Sequence, residues 1–223
     1  MNPKQLAGEK AAEFVKDGMA VGLGTGTTVY WTIKRLGEMV RQGLRIRGIP
    51  TSRRTEQLAT EAGIPLTSFA EVSELDLTID GADEVNPSLD LIKGGGGALL
   101  REKLVAAASR RLIIVADTTK QVATLGKFPL PVEVVPFAWE VTARRVSALG
   151  CTPILRTVDG QPYVTDNGNY ILDCPFGAIP DPARLHRDLK LLVGIVETGL
   201  FVGMADLIVV GSETGVTLVD RKG

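Results

Sequence analysis

Four short segments of the chain hold residue types whose spacing could do chemistry. The first is Gly22-Leu23-Gly24-Thr25-Gly26-Thr27-Thr28, set between an apolar run and a helical pattern. Glycines let a backbone come close to an anion, and peptide N–H groups and hydroxyls donate to it, so this turn fits a phosphate. A plain tight turn from strand to helix would use the same residues. No Gly-Lys-Ser/Thr follows, which excludes a P-loop. A dinucleotide turn stays open, because Thr51-Ser52-Arg53-Arg54 would suit a 2′-phosphate. Tyr30 and Lys34 have the Tyr-x-x-x-Lys spacing of some reductases, but a core position and a solvated face of one helix account for them.

The second segment is Asp80-Gly81-Ala82-Asp83-Glu84, at the carboxyl end of an apolar strand, where open α/β sheets bind ligands. Gly81 and Ala82 leave room for Asp80 and Asp83 to face one cleft. Neighbouring carboxylates push their pKa values apart, which suits acid–base work. A solvated turn and a magnesium site are the alternatives. The third segment is Lys93-Gly94-Gly95-Gly96-Gly97, and such a glycine run costs much chain entropy. A flexible linker would tolerate it. A strand just before and a helix just after fit better with backbone pressed against a ligand, Lys93 and the helix N-terminus supplying positive potential. The fourth is Glu102, which between Arg101 and Lys103 reads by itself as a solvated helix face. Lys120, in Asp117-Thr118-Thr119-Lys120, is either an anion contact or a surface lysine.

The elements that must position these groups alternate in kind. Apolar strand runs at Met19–Leu23, Leu44–Ile49, Leu75–Ile79 and Leu112–Ala116 are separated by helical patterns at 27–42, 52–62 and 98–108. Such alternation predicts a parallel sheet wrapped by helices. Pro129, Pro131 and Pro136 then mark a boundary. Beyond it the order is strand, helix 138–149, strand 153–157, strand 170–173, helix 182–192, strand 194–198, a ferredoxin-like βαββαβ unit. An Asn167-Gly168 turn signal lies between its middle strands. Runs at 206–210 and 216–219 return to the first sheet. The expected domains are therefore 1–129 with 200–223, and 130–199.

Composition narrows the function classes. The chain has 223 residues, a net charge of −1 and 44% hydrophobic residues, which is ordinary globular composition without a nucleic-acid surface. No apolar run reaches the ~20 residues of a membrane helix, and the opening stretch has no signal-peptide core, so a cytoplasmic protein is expected. The single histidine, His186, excludes a multi-histidine metal site within one chain. Cys151 and Cys174 form no CxxC pattern and read as reduced thiols. Acids and bases are thus expected from Asp, Glu and Lys, with no metal and no cofactor.

In this order, Gly-x-Gly-Thr-Gly-Thr-Thr, Asp-Gly-Ala-Asp-Glu, Lys-Gly-Gly-Gly-Gly-Ala-Leu-x-Arg-Glu-Lys and Ala-Asp-Thr-Thr-Lys resemble the type A ribose-5-phosphate isomerases. The resemblance runs the length of the chain, through Val-Glu-Val-x-Pro-Phe and Gly-Leu-Phe at either end of the small domain. It implies a Rossmann-like α/β domain with a mostly parallel sheet plus a smaller ferredoxin-like α+β domain. It implies interconversion of D-ribose 5-phosphate and D-ribulose 5-phosphate without a cofactor, by a homodimer or homotetramer. Carried over by motif, Thr25, Gly26, Thr27, Thr28, Asp80, Gly81, Ala82, Asp83, Lys93, Gly94, Gly95, Gly96 and Lys120 would bind the sugar phosphate. Glu102 would be the proton acceptor, with Asp80, Asp83 and Lys93 assisting the chemistry. An NADP-dependent oxidoreductase, a sugar-phosphate-sensing regulator and a coenzyme A transferase are the rival classes.

Overall fold

The computed structural model describes residues 2–221. The helices are α1 (Pro3–Ala12), α2 (Val29–Arg41), α3 (Arg53–Glu61), α4 (Leu99–Ala107), α5 (Trp139–Ser147) and α6 (Pro182–Lys190). The strands in the first half are β1 (Ala20–Leu23), β2 (Arg47–Pro50), β3 (Leu77–Gly81), β4 (Glu84–Val85), β5 (Leu91–Ile92) and β6 (Leu112–Asp117). Next come β7 (Leu130–Val134), β8 (Ile154–Leu155), β9 (Thr157–Val158), β10 (Gln161–Pro162) and β11 (Tyr170–Cys174). The last are β12 (Ile195–Thr198), β13 (Leu200–Phe201), β14 (Leu207–Ser212) and β15 (Gly215–Asp220). The chain divides into two compact units.

The first unit takes the chain up to Ala82, Arg101–Gln121, and the chain from Met204. Its sheet has the order β15-β14-β6-β3-β1-β2, parallel throughout except for the β14–β15 hairpin. Every residue of β1 and β6 is buried, as expected of strands covered on both faces. Helix α2 buries Val29, Ile33 and Leu36, spaced one helical turn apart, against this core. Ser52 caps α3 by accepting from the N–H of Thr55 at 3.0 Å.

The second unit takes Asp83–Leu100 and Val122–Gly203. Its main sheet has the antiparallel order β12-β7-β11-β8, with α5 and α6 as the intervening helices of a βαββαβ unit. Leu130, Val132, Val134, Val146, Leu172 and Leu189 are fully buried in its core. The middle connection is longer than one Asn-Gly turn, because the β9–β10 hairpin is inserted into it. Glu133 of β7 is wholly buried and accepts from Thr165 Oγ1 and Asn169 Nδ2, both at 2.9 Å, which ties the turn to the sheet.

The unit boundaries differ from those expected from the sequence. Residues 83–100, 122–129 and 200–203 group with the second unit. A small sheet in which β5 pairs antiparallel with β4 and with β13 joins Leu91–Ile92 to Leu200–Phe201, and 122–129 is tied in by the Val122 N–H on Val85 O and the Leu125–Ile179 bridge.

Candidate active site

In the first unit, the chain passes from β1 to β2 on one side and later places β3 on the other side of β1. Such a reversal opens a crevice at the carboxyl ends of the two strands. Thr25–Thr28 follow β1, and Asp80 and Gly81 end β3, so two of the predicted segments meet there. Asp80 is wholly buried, and its Oδ1 accepts from the N–H of Thr25 at 3.1 Å and of Gly81 at 2.7 Å. Gly24 permits this approach: a Cβ there would stand 2.2 Å from the same oxygen.

The Thr25 hydroxyl turns inward, lying 2.8 Å from the hydroxyls of Thr51 and Ser52 and 3.0 Å from that of Thr55. Thr51-Ser52 therefore braces the turn after β1. Thr28 is the N-cap of α2, yet its hydroxyl makes no capping bond, and the first N–H groups of a helix lack intrahelical partners. The Lys4 ammonium donates to Thr27 Oγ1 at 3.1 Å, adding positive charge beside the turn. A cleft of about 390 Å³ opens here, lined by Gly24, Thr25, Gly26, Thr27, Tyr30 and Arg54 among others. Tyr30 stacks edge-on against Trp31, and Lys34 lies 5.5 Å from the Trp31 ring centroid.

Lys120 lies in the single turn of 3₁₀ helix after β6, at the same edge of the sheet, and is partly exposed. Asp117 caps that turn by accepting from the N–H of Thr119 at 2.9 Å. Glu102, in the first turn of α4, is only 4% exposed. Its charged flanks pointed to a solvated face; the packing buries it instead.

In the second unit, Asp83 Oδ2 accepts from the N–H of Gly95 at 2.7 Å, joining the second and third segments. Lys93 is 2% exposed; its N–H donates to Gly199 O at 2.9 Å, and its ammonium lies 5.4 Å from the Phe201 ring centroid. Gly97 has φ 78°, and a Cβ there would come within 2.2 Å of Tyr163 Oη, so both conformation and space demand glycine. The run is pinned structure, not a linker.

Of the predicted residues, the first unit thus holds Thr25, Gly26, Thr27, Thr28, Asp80, Gly81, Ala82, Glu102 and Lys120, and the second holds Asp83, Lys93, Gly94, Gly95 and Gly96. Sequence reasoning gave no role to Glu84, which is buried and accepts from the N–H groups of Gly126 and Phe128 at 2.7 and 2.5 Å. It also passed over Arg156, whose guanidinium donates to Gly94 O at 2.8 Å. No spacing rule marks a side chain that meets distant backbone atoms.

A family model described as ribose 5-phosphate isomerase A (phosphoriboisomerase A) matches residues 47–215. The chain belongs to the ribose 5-phosphate isomerase A family. It is 57% identical to ribose-5-phosphate isomerase A of Bacillus cereus over 217 residues, covering 97% of this chain and 99% of that one. It is 56% identical to ribose-5-phosphate isomerase A 1 of Oceanobacillus iheyensis, covering 96% of each. Among solved structures, a D-ribose-5-phosphate isomerase in complex with phospho-erythronic acid superposes with a TM-score of 0.96 at 39% identity, covering 99% of this chain and 100% of that one. The family member from Methanocaldococcus jannaschii gives 0.94 at 39% identity, covering 98% of each.

Proposed function

We infer that the chain is an aldose–ketose isomerase that interconverts D-ribose 5-phosphate and D-ribulose 5-phosphate through an enediolate. The observation that carries this reading is Glu102, a carboxylate at 4% exposure in the first turn of the helix that follows the glycine run. A buried carboxylate there suits the removal and return of one proton between C1 and C2. A relative at 39% identity is described in complex with phospho-erythronic acid, which supports a sugar phosphate as the ligand.

The residue roles follow from the chemistry. The phosphate takes the N–H groups of Gly26, Thr27 and Thr28, the Thr28 hydroxyl, the positive end of α2 and the Lys4 and Lys120 ammoniums. Thr25 serves by holding the turn, since its N–H is on Asp80 and its hydroxyl is on Thr51, Ser52 and Thr55. Asp80, Gly81, Ala82 and Asp83 hold the sugar hydroxyls, and the two carboxylates assist ring opening. Glu102 takes the proton from C2 of the aldose and returns it to C1. The Lys93 ammonium and the N–H groups of Gly94 and Gly96 stabilise the negative oxygen of the enediolate, while Gly95 serves through its N–H bond to Asp83, which holds the glycine run in place. These steps need no cofactor.

Glu102→Gln tests this reading, because it keeps size but cannot accept the proton. Ribose 5-phosphate turnover should fall by about 10²-fold or more while KM changes little. Exchange of the C2 hydrogen with D₂O should stop. Turnover within tenfold of the parent would pass the role of base to Asp80 or Asp83.

We also propose that the enzyme is a homo-oligomer of the cytoplasm. Phe137, Leu191 and Val193 of the second unit are 89%, 82% and 76% exposed, and large apolar side chains left in water fit a contact surface. Among the described residues no helix is long and apolar enough to cross a membrane. Sedimentation of the purified chain reads its oligomeric state.

A further inference from the structure

We propose that Arg156 is a positioning residue for the isomerisation: it fixes the Gly94–Gly96 peptides so that the Gly96 N–H faces the enediolate oxygen. The proposal rests on the isomerase reading above. Arg156 follows β8, and its backbone is tied on both sides, its N–H to Ile171 O and its carbonyl to the Tyr163 N–H, each at 2.8 Å. The side chain is 15% exposed. Its Nε and Nη2 grip Asp173 of β11 at 3.0 and 2.5 Å, a two-pronged geometry only a guanidinium makes. The remaining terminal nitrogen, Nη1, donates to Gly94 O at 2.8 Å and to Gly95 O at 3.2 Å.

Peptide geometry turns these bonds into a direction. In a trans peptide the C=O and N–H point opposite ways. The Gly94–Gly95 peptide is strung between two charges, its carbonyl on Arg156 and its N–H on Asp83 Oδ2 at 2.7 Å. The next peptide has its carbonyl on Arg156 as well, so the Gly96 N–H points away from the guanidinium. Glycine peptides flip with little steric resistance. A flip here would turn a carbonyl, instead of an N–H, toward the developing negative oxygen. Tyr163 backs the arrangement, its ring centroid 5.9 Å from the guanidinium carbon.

The test separates orientation from mere support. In Arg156→Met, kcat for ribose 5-phosphate should fall about 10²-fold, as for loss of an oxyanion donor, with KM changed less than threefold. Arg156→Lys, which keeps the charge without the fork, should fall between parent and Met. Phospho-erythronic acid carries a planar carboxylate like the enediolate oxygens, and calorimetry should show it bound at least tenfold more weakly by Arg156→Met. Inorganic phosphate, which reads only the phosphate turn, should bind within twofold of the parent. Asp173→Asn is a milder second route that leaves the guanidinium on the glycines but loosens it, and the same split at smaller size is expected even if the Met variant does not fold. An unchanged kcat in both variants, or equal weakening of both ligands, would overturn the positioning role while the parent's turnover leaves the isomerase reading intact. A parent without turnover would remove both.

Discussion

The Asp80 carboxylate reaches 55 positions back along the chain to accept the Thr25 N–H at 3.1 Å. One buried acid thereby fixes the first residue of the turn that is proposed to hold the phosphate. Gly24 is the residue that makes room for it, with 2.2 Å between a would-be Cβ and the carboxylate oxygen. Gly24→Ala must therefore push the turn off Asp80. A stability loss of about 1–3 kcal/mol is expected from overpacking, read by urea unfolding, together with a rise in KM for ribose 5-phosphate. Unchanged stability and KM would mean that this contact does not set the turn.

The phosphate reading gives a second, more local prediction. Thr28→Val removes a hydroxyl that makes no capping bond and nearly preserves shape. A hydrogen bond to a charged group is worth about 1.5–3 kcal/mol, so KM should rise roughly tenfold to a hundredfold. Because the bond would be equal in ground and transition states, kcat should hardly move. An unchanged KM would shift the phosphate toward Lys120 and Lys4.

How much of this could be read from the sequence depends on the range of each interaction. The β1–turn–α2 segment was legible because an apolar run, a glycine turn and apolar positions one helical turn apart are all local signals. The βαββαβ order of the second unit was legible for the same reason. The placement of 83–100 was not, because it depends on pairing Leu91–Ile92 with Leu200–Phe201. Glu102 shows the limit of charge patterning: Arg101 and Lys103 pointed to solvent, and only tertiary packing puts it at 4% exposure. Arg156 and Glu84 act on main-chain atoms far away in sequence, and an isolated Arg or Glu carries no trace of that.

The two cysteines should differ sharply in reactivity. Cys151 is partly exposed and Cys174 buried. The neighbouring Cys174 thiol holds Cys151 below the ordinary thiol range, and the same interaction together with burial pushes Cys174 far up. The thiolate is the reactive form, so Cys151 should be the one alkylated in the folded protein. With iodoacetamide at about pH 8, mass spectrometry should find a single fast adduct at Cys151, absent in Cys151→Ser, and Cys174 modified only after unfolding. Equal labelling of both would show that the pair is open to solvent.

Tyr163 should make the protein sensitive to alkali. Burial, and next the nearby Asp166 charge, raise its phenol above the ordinary value near 10, with Arg156 opposing and Glu133 adding to the rise. A group whose pKa is raised on folding contributes stability that is fully present below its unfolded pKa and is lost as pH climbs through the folded value. The contribution of Tyr163 is therefore complete below about pH 10 and disappears above it. The phenol oxygen packs on Gly97, 2.2 Å from where a Cβ on that residue would stand. Absorbance titration near 295 nm, compared between parent and Tyr163→Phe, should show the missing step above pH 10. Unfolding midpoints of the parent should fall more steeply over that window than those of the Phe variant. A Tyr163 step at or below the ordinary value would mean that the phenol is solvated and does not pack on the glycine run.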